Sequence, residues 1–231
     1  MSESTFKAIG GEFILPFSQL GERLKNIRAF VFDWDGVFNP GTKGEGAGSP
    51  FSEADSAGTN FLRYGFWRRD DVLPPLAIIT GEDNPSARLL ARREHFSSVY
   101  QKVGHKADAL KHFAEANQLG CEQIAFVFDD VMDLSAAKLC GLRFLVRRDA
   151  APMLRQYAID NQLADYMTGQ SGGQSAVREV VELILATVGN YADVVDERVA
   201  YSENYRQYLQ QRNTPQCQFF GQTESGIKAL D

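Results

Sequence analysis

The sequence predicts an α/β fold: a doubly wound parallel sheet with no separate cap domain and a hairpin projecting after the first strand. Three observations carry this expectation: short continuous apolar runs, helical patterns between them, and polar residues placed directly after the runs. Continuous apolar runs suit strands buried on both faces, as in a parallel sheet. Strands that alternate with helices suit doubly wound topology.

The first run, Ala29–Phe32 (AFVF), ends at Asp33. Gly41–Pro50 (GTKGEGAGSP) is rich in glycine and is expected to be a loop or hairpin tip. Leu76–Ile79 (LAII) ends at Thr80, and Pro85–His95 opens with the proline that a first helical turn tolerates. Ser98–Tyr100 (SVY) is a weaker strand candidate. Ala107–Leu119 sets Leu110, Phe113 and Ala114 at helical spacing. Ile124–Phe128 (IAFVF) ends at Asp129, Leu134–Leu139 suits a short helix, and Leu142–Val146 (LRFLV) a further strand. Ala176–Val188 lines up Val177, Val180, Val181, Ile184, Leu185 and Val188 on one helical face. Beyond about Asn190 the chain turns polar with scattered aromatics, as in an arm that packs on something or is partly disordered. The expected division is an N-terminal extension over 1–27, a catalytic domain over 28–190, and a tail or oligomerisation arm over 191–231.

The 231 residues suffice for one such domain with a sizeable core, and 44% hydrophobic with 23% charged residues is ordinary for a soluble protein. A formal net charge of −6 argues against nucleic acid as a partner, since no basic face is there to release counterions from phosphates. The three cysteines, Cys121, Cys140 and Cys217, form no C-x-x-C pair and are read as free thiols in a reducing compartment. No apolar run approaches the roughly 18 residues of a membrane span, and no signal pattern opens the chain. The expectation is a cytoplasmic protein without a membrane partner.

The polar residues at the strand ends carry the chemistry. Ligands of open α/β sheets bind outside the carboxyl ends of the strands. Asp33 and Asp35 follow the first strand, Thr80 the second, and Asp129, Asp130 and Asp133 the third, with Lys106 at the start of a helix. Clustered carboxylates repel unless a cation or proton neutralises them. Hard oxygen donors suit Mg²⁺, which also takes phosphate oxygens into its shell. A carboxylate beside such an ion can attack phosphorus, and a second can protonate the leaving oxygen. Lys106 and Thr80 would hold the phosphate oxygens. Each feature also has a plainer reading. D-x-D-G is good turn chemistry, Asp129, Asp130 and Asp133 can cap a helix, and Lys106 can be a solvated helix lysine. Arg178 is by itself a surface residue, and His95, His105 and His112 show no ligand spacing.

FDWDGVFNPG (Phe32–Gly41), IITGE (Ile78–Glu82), Lys106 and FDDVMD (Phe128–Asp133) resemble, in order and spacing, the four motifs of the haloacid dehalogenase superfamily. From about Phe30 to Ile184 the chain is similar to the capless 3-deoxy-octulosonate-phosphate phosphatases and their nonulosonate-phosphate relatives. KADALKHFAEANQLGCEQIAFVFDD and SGGQSAVREVVELIL (Ser171–Leu185) carry much of that likeness, and Asp55 in DSAG matches a further D-G-x-G. The resemblance implies Asp33 as nucleophile, Asp35 as general acid/base, and Mg²⁺ held by Asp33, the Asp35 carbonyl and Asp129 with Asp133 in support. It also implies a small phosphorylated metabolite bound by Thr80, Gly81, Lys106 and Arg178, and a homotetramer joined through the hairpin, with Gly172–Arg178 near a site, its own or a neighbour's. The absence of a cap fits this, because the stretches from Asp35 to Thr80 and Gly81 to Lys106 fall short of the roughly 50 residues of a small domain.

Some positions depart from the group. Glu82 stands where arginine is usual, Phe128 replaces a glycine, Asn39–Pro40 replaces Thr-Asp, and Ser175 replaces the last glycine of G-G-x-G. A glutamate at 82 is expected to repel the carboxylate an arginine would attract. The function expected is Mg²⁺-dependent phosphomonoester hydrolysis through an aspartyl-phosphate, on an octulosonate or nonulosonate phosphate. The alternatives are a catalytically silent domain kept for assembly and a phosphatase of another small metabolite.

Overall fold

A computed structural model describes residues 3–43 and 49–230. The chain begins with α1 (Glu3–Ala8), β1 (Glu12–Phe13), α2 (Phe17–Leu24) and β2 (Ala29–Phe32). It continues through α3 (Glu53–Asp70), β3 (Leu76–Ile79), α4 (Pro85–Arg93), β4 (Ser98–Gln101) and α5 (Lys106–Ala116). Then come β5 (Ile124–Phe128), α6 (Leu134–Ala137), β6 (Leu142–Arg147), α7 (Pro152–Asp160), β7 (Tyr166–Ser171) and α8 (Ala176–Val188). The last elements are α9 (Tyr191–Ala200), α10 (Glu203–Arg212), β8 (Gln218–Thr223) and β9 (Gly226–Ala229).

All nine strands share one sheet, in the order β1-β7-β6-β5-β2-β3-β4-β8-β9. Pairing is parallel from β7 across to β8 and antiparallel only at β1–β7 and β8–β9. Every residue of β2, β3, β4 and β5 is buried, and β2, β3 and β5 are apolar on both faces. Alternate side chains feed two cores. Phe30 and Phe32 face the layer of α2, α3, α4 and α8. Val31, Phe126 and Phe128 face α5, α6 and α7. Phe128 stacks on Phe126 with ring centroids 5.4 Å apart, so the departure from glycine at 128 is a core packing choice.

The longest helix, α3, is held between the sheet and the C-terminal segment. Ser52 caps its start by accepting from the Asp55 amide at 3.0 Å. Its glycines let α8 come close: a Cβ on Gly58 would sit 3.4 Å from Arg178 Cα. Arg69, at its end, donates to the carbonyls of Leu24 and Ile27 and stacks on Phe66.

The segment after Asn190 packs on its own chain. Tyr205 and Tyr208 ring the Tyr64 side chain, Trp67 Nε1 donates to Gln211 at 2.8 Å, and β8 extends the sheet beside β4. Between Gly36 and Pro50 the described residues form no strand pair, and residues 44–48 of the expected hairpin tip, 41–50, lie outside them. Asn39 ties the turn there, donating to the Trp34 carbonyl at 3.1 Å and accepting from the Gly41 amide at 2.8 Å. No helix among the described residues is long and apolar enough to cross a membrane.

Candidate active site

Parallel pairing puts the carboxyl ends of β2, β3 and β5 side by side, and their following residues meet at one crevice of about 320 Å³. Asp33 leaves β2 with its amide still bonded to the Val127 carbonyl at 2.9 Å, and Thr80 leaves β3 bonded to Tyr100 at 2.9 Å. Asp129 leaves β5, and Lys106 opens α5 from the far side. Asp33, Thr80, Lys106, Asp129 and Asp133 are all buried.

Lys106 Nζ donates to Asp33 Oδ1 at 2.5 Å and also to Asp133 Oδ1. Asp133 has a second duty: its Oδ2 accepts from the Asp130 amide at 3.0 Å, fixing the turn that carries Asp129. Gly36 is required beside them. Its φ is +86°, and a Cβ there would fall 1.9 Å from Asp129 Oδ2.

Burial, then the neighbouring Asp133 carboxylate, raises the Asp33 carboxyl well above its usual range against the opposing pull of Lys106. Burial and Asp133 likewise push Asp129 up to about 6, opposed by Arg148. For Lys106, burial pulls down, but Asp33 and Asp133 together raise it, so the amine stays charged. The cluster is thus short of positive charge.

A divalent cation fits that shortage. One carboxylate oxygen from each of Asp33, Asp129 and Asp133 lies within 4.8 Å of the others. Asp129 Oδ1 and Asp35 Oδ1 are buried without a hydrogen-bond partner among the described residues. Hard, anionic oxygens with unused lone pairs match Mg²⁺.

The structure brings Asp33, Asp35, Thr80, Gly81, Lys106, Asp129 and Asp133 to the crevice, but not Arg178 of the same chain. Arg178 Nε donates to Glu182 at 2.8 Å, its guanidinium lies over the Phe61 ring, and its amide donates to Asp55 Oδ1. The Gly172–Gly173 turn braces the loop after β2 from behind: a Cβ on Gly172 would sit 2.0 Å from the Gly36 carbonyl oxygen.

Three further residues touch the side chains of the site without having been anticipated. Asn84 donates to both Asp35 Oδ2 at 3.1 Å and Thr80 Oγ1 at 2.8 Å. Arg148 pairs with Asp129 Oδ2. Lys43 stands 3.6 Å from Asp35 Oδ2 and 3.4 Å from Glu82 Oε1. Arg148 follows the run of β6 and could have been found by the strand-end logic that found Asp33. Asn84, just ahead of Pro85, reads as a helix cap, and nothing in a glycine-rich loop singles out Lys43.

No protein-family model matches the chain. The 3-deoxy-D-manno-octulosonate 8-phosphate phosphatase of Escherichia coli K12 is 30% identical over 169 residues, 72% of this chain and 84% of its own length. The crystal structure of the Moraxella catarrhalis enzyme of that name, in complex with magnesium ion, phosphate ion and KDO, superposes with a TM-score of 0.64 at 25% identity. It covers 78% of this chain and 97% of its own. The cobalt-bound Haemophilus influenzae enzyme superposes with a TM-score of 0.61 at 25% identity, covering 73% of this chain and 92% of its own.

Proposed function

Since this chain belongs to the 3-deoxy-D-manno-octulosonate 8-phosphate phosphatase family of the haloacid dehalogenase superfamily and is a phosphatase, we propose that it hydrolyses an acidic sugar phosphate, an octulosonate or nonulosonate ester, with Mg²⁺ as cofactor and Asp33 as nucleophile. The observation that carries this reading is Lys106 bound between Asp33 and Asp133, with unshared oxygens of Asp35 and Asp129 beside it.

Asp33 attacks phosphorus and takes the phosphoryl group, while Asp35 gives its proton to the leaving sugar oxygen. Water then attacks the aspartyl-phosphate, Asp35 takes the proton back, and inorganic phosphate leaves with Asp33 regenerated. Lys106, Thr80 and the Gly81 backbone hold the phosphoryl oxygens. Asn84, bonded to both Asp35 and Thr80, keeps the acid aligned with the phosphate holder. Asp33, the Asp35 carbonyl and Asp129 would hold the cation, with Asp133 in support; when bound it neutralises developing charge on the phosphoryl oxygens.

The catalytic unit proposed is 28–190, with 1–27 and 191–231 added to it. We further infer a homotetramer, in which a neighbouring copy covers the crevice and could place Arg178 against it. The rim supports this, since Val131 and Met132 are large apolar side chains left exposed there. Sedimentation at micromolar concentration should give four copies; a monomer of full activity overturns this part.

The test of function is a panel of phosphate esters, acidic and neutral, assayed with Mg²⁺ and with a chelator. Acidic sugar phosphates should be preferred, activity should vanish on chelation and return with Mg²⁺, and Asp33→Asn should fall to background while remaining folded. Faster turnover of neutral sugar phosphates overturns the substrate class. Turnover by Asp33→Asn overturns the mechanism.

A further inference from the structure

The parallel register of β8 on β4 sets Gln101 beside Gly221 and so carries Gln222 alongside the loop that leaves β4. That loop, residues 102–105, delivers Lys106. It is short, and Lys102 already holds a φ of +53°. From the inside the loop is tied by the Lys102 amide to the Glu82 carbonyl at 3.4 Å and by the Val103 amide to the Thr80 carbonyl at 3.2 Å. Gly104 and His105 are exposed, Gly104 at the lip of the crevice.

A helix start leaves its first amides without partners in the helix, and a nearby side chain normally supplies one. At the start of α5, His105 in the cap position makes no side-chain capping bond. The two amides just ahead of the helix find their acceptor far along the chain. Gln222 Oε1 accepts from the Gly104 amide at 2.7 Å and from the His105 amide at 3.2 Å. Lys106 is the next residue. Its Nζ is committed to Asp33 and Asp133, so a displacement of the loop draws the ammonium away from both.

We propose that Gln222 is a positioning residue for Lys106: the C-terminal strand pair clips the loop from outside, as Thr80 ties it from inside, and fixes where the ammonium meets the phosphoryl group. The proposal rests on the reading of Lys106 as the phosphate-holding cation. It gives the C-terminal strands a part in turnover without contact with substrate.

The experiment compares Gln222→Ala, Gln222→Glu and Lys106→Gln in the full chain with Mg²⁺. Turnover is followed on octulosonate 8-phosphate and para-nitrophenyl phosphate, alongside thermal melts and amide exchange at Gly104 and His105. Because a misplacement of about 1 Å costs up to ~100-fold in rate, Gln222→Ala should lower kcat by roughly tenfold with KM within about twofold of wild type. Its two lost bonds lie at the surface, where water replaces them, so Tm should stay within about 2 °C. The two amides should exchange faster, and Gln222→Glu, which keeps the acceptor, should restore kcat. Unchanged kcat in Gln222→Ala with an inactive Lys106→Gln overturns this inference alone. So does a loss of kcat that follows a loss of Tm and is not rescued by glutamate. Full activity in Lys106→Gln overturns the underlying role of the lysine.

Discussion

Lys43 changes what Glu82 does. The sequence alone sets a bare acid at the mouth of the site, but the Glu82 carboxylate lies 3.4 Å from the Lys43 ammonium, which is also 3.6 Å from Asp35. Glu82 therefore draws a cation to the entrance and is itself neutralised. An exposed pair of this kind is worth about 0.2–1 kcal/mol, so Glu82→Gln, by freeing Lys43, should lower KM for octulosonate 8-phosphate by roughly 1.5–5-fold. An unchanged KM would place the pair beyond the substrate's reach. The residues brought together at the crevice were legible because apolar strands deliver their next residue to a shared edge; that rule alone picks out Asp33, Thr80 and Asp129. Lys43 and Asn84 were not, because their place depends on how a loop folds back over the sheet.

Helix and turn packing explain why the active-site loop holds its shape. The Gly172–Gly173 turn lies against the Gly36–Pro40 turn with no room for a side chain, and the obstacle is backbone that cannot swing aside. Gly172→Ala should cost about 1–3 kcal/mol of stability and lower kcat by more than tenfold at temperatures where the variant stays folded. A variant with normal kcat would show that the turn can move without disturbing Asp33 and Asp35. The central strands were readable because burial on both faces leaves an unbroken apolar run. The outer strands were not: β7 (YMTGQS) and β8 (QFFGQT) are partly exposed and mix polar with apolar residues. The sequence left room for a helix before β3, yet α3 gave no outline of its own. It is covered by the sheet on one side and by Tyr205 and Tyr208 on another, so buried residues surround it instead of forming one stripe.

At the scale of the whole molecule, the buried acids tie stability to pH and to the metal. Asp33 and Asp129 sit above their ordinary values, Asp129 at about 6, whereas unfolded aspartates titrate near ~3.9. Between those values the folded chain holds protons that the unfolded chain has released. The stability of metal-free protein therefore falls as pH rises from about 4 through about 6. Burial of Asp55 and Glu179 acts in the same direction. With a chelator, Tm should be higher at pH 5 than at pH 7. Mg²⁺ should raise Tm more at pH 7, where protons no longer compete for its ligands, and Asp129→Asn should flatten both trends. A chelated protein more stable at pH 7 than at pH 5 would refute the account. The order of the sheet has one more effect, on the time before the protein exists as a whole. The flank of β4 is closed by β8, with Ser98 paired to Gln218. A ribosome adding about 5–20 residues per second needs roughly 6–24 s to travel from one partner to the other. For that interval the nascent chain presents a row of free amides and carbonyls to any neighbouring polypeptide, the kind of edge that recruits foreign strands. Its yield in a cell should accordingly depend on how well chaperones guard that edge and on how fast the message is read.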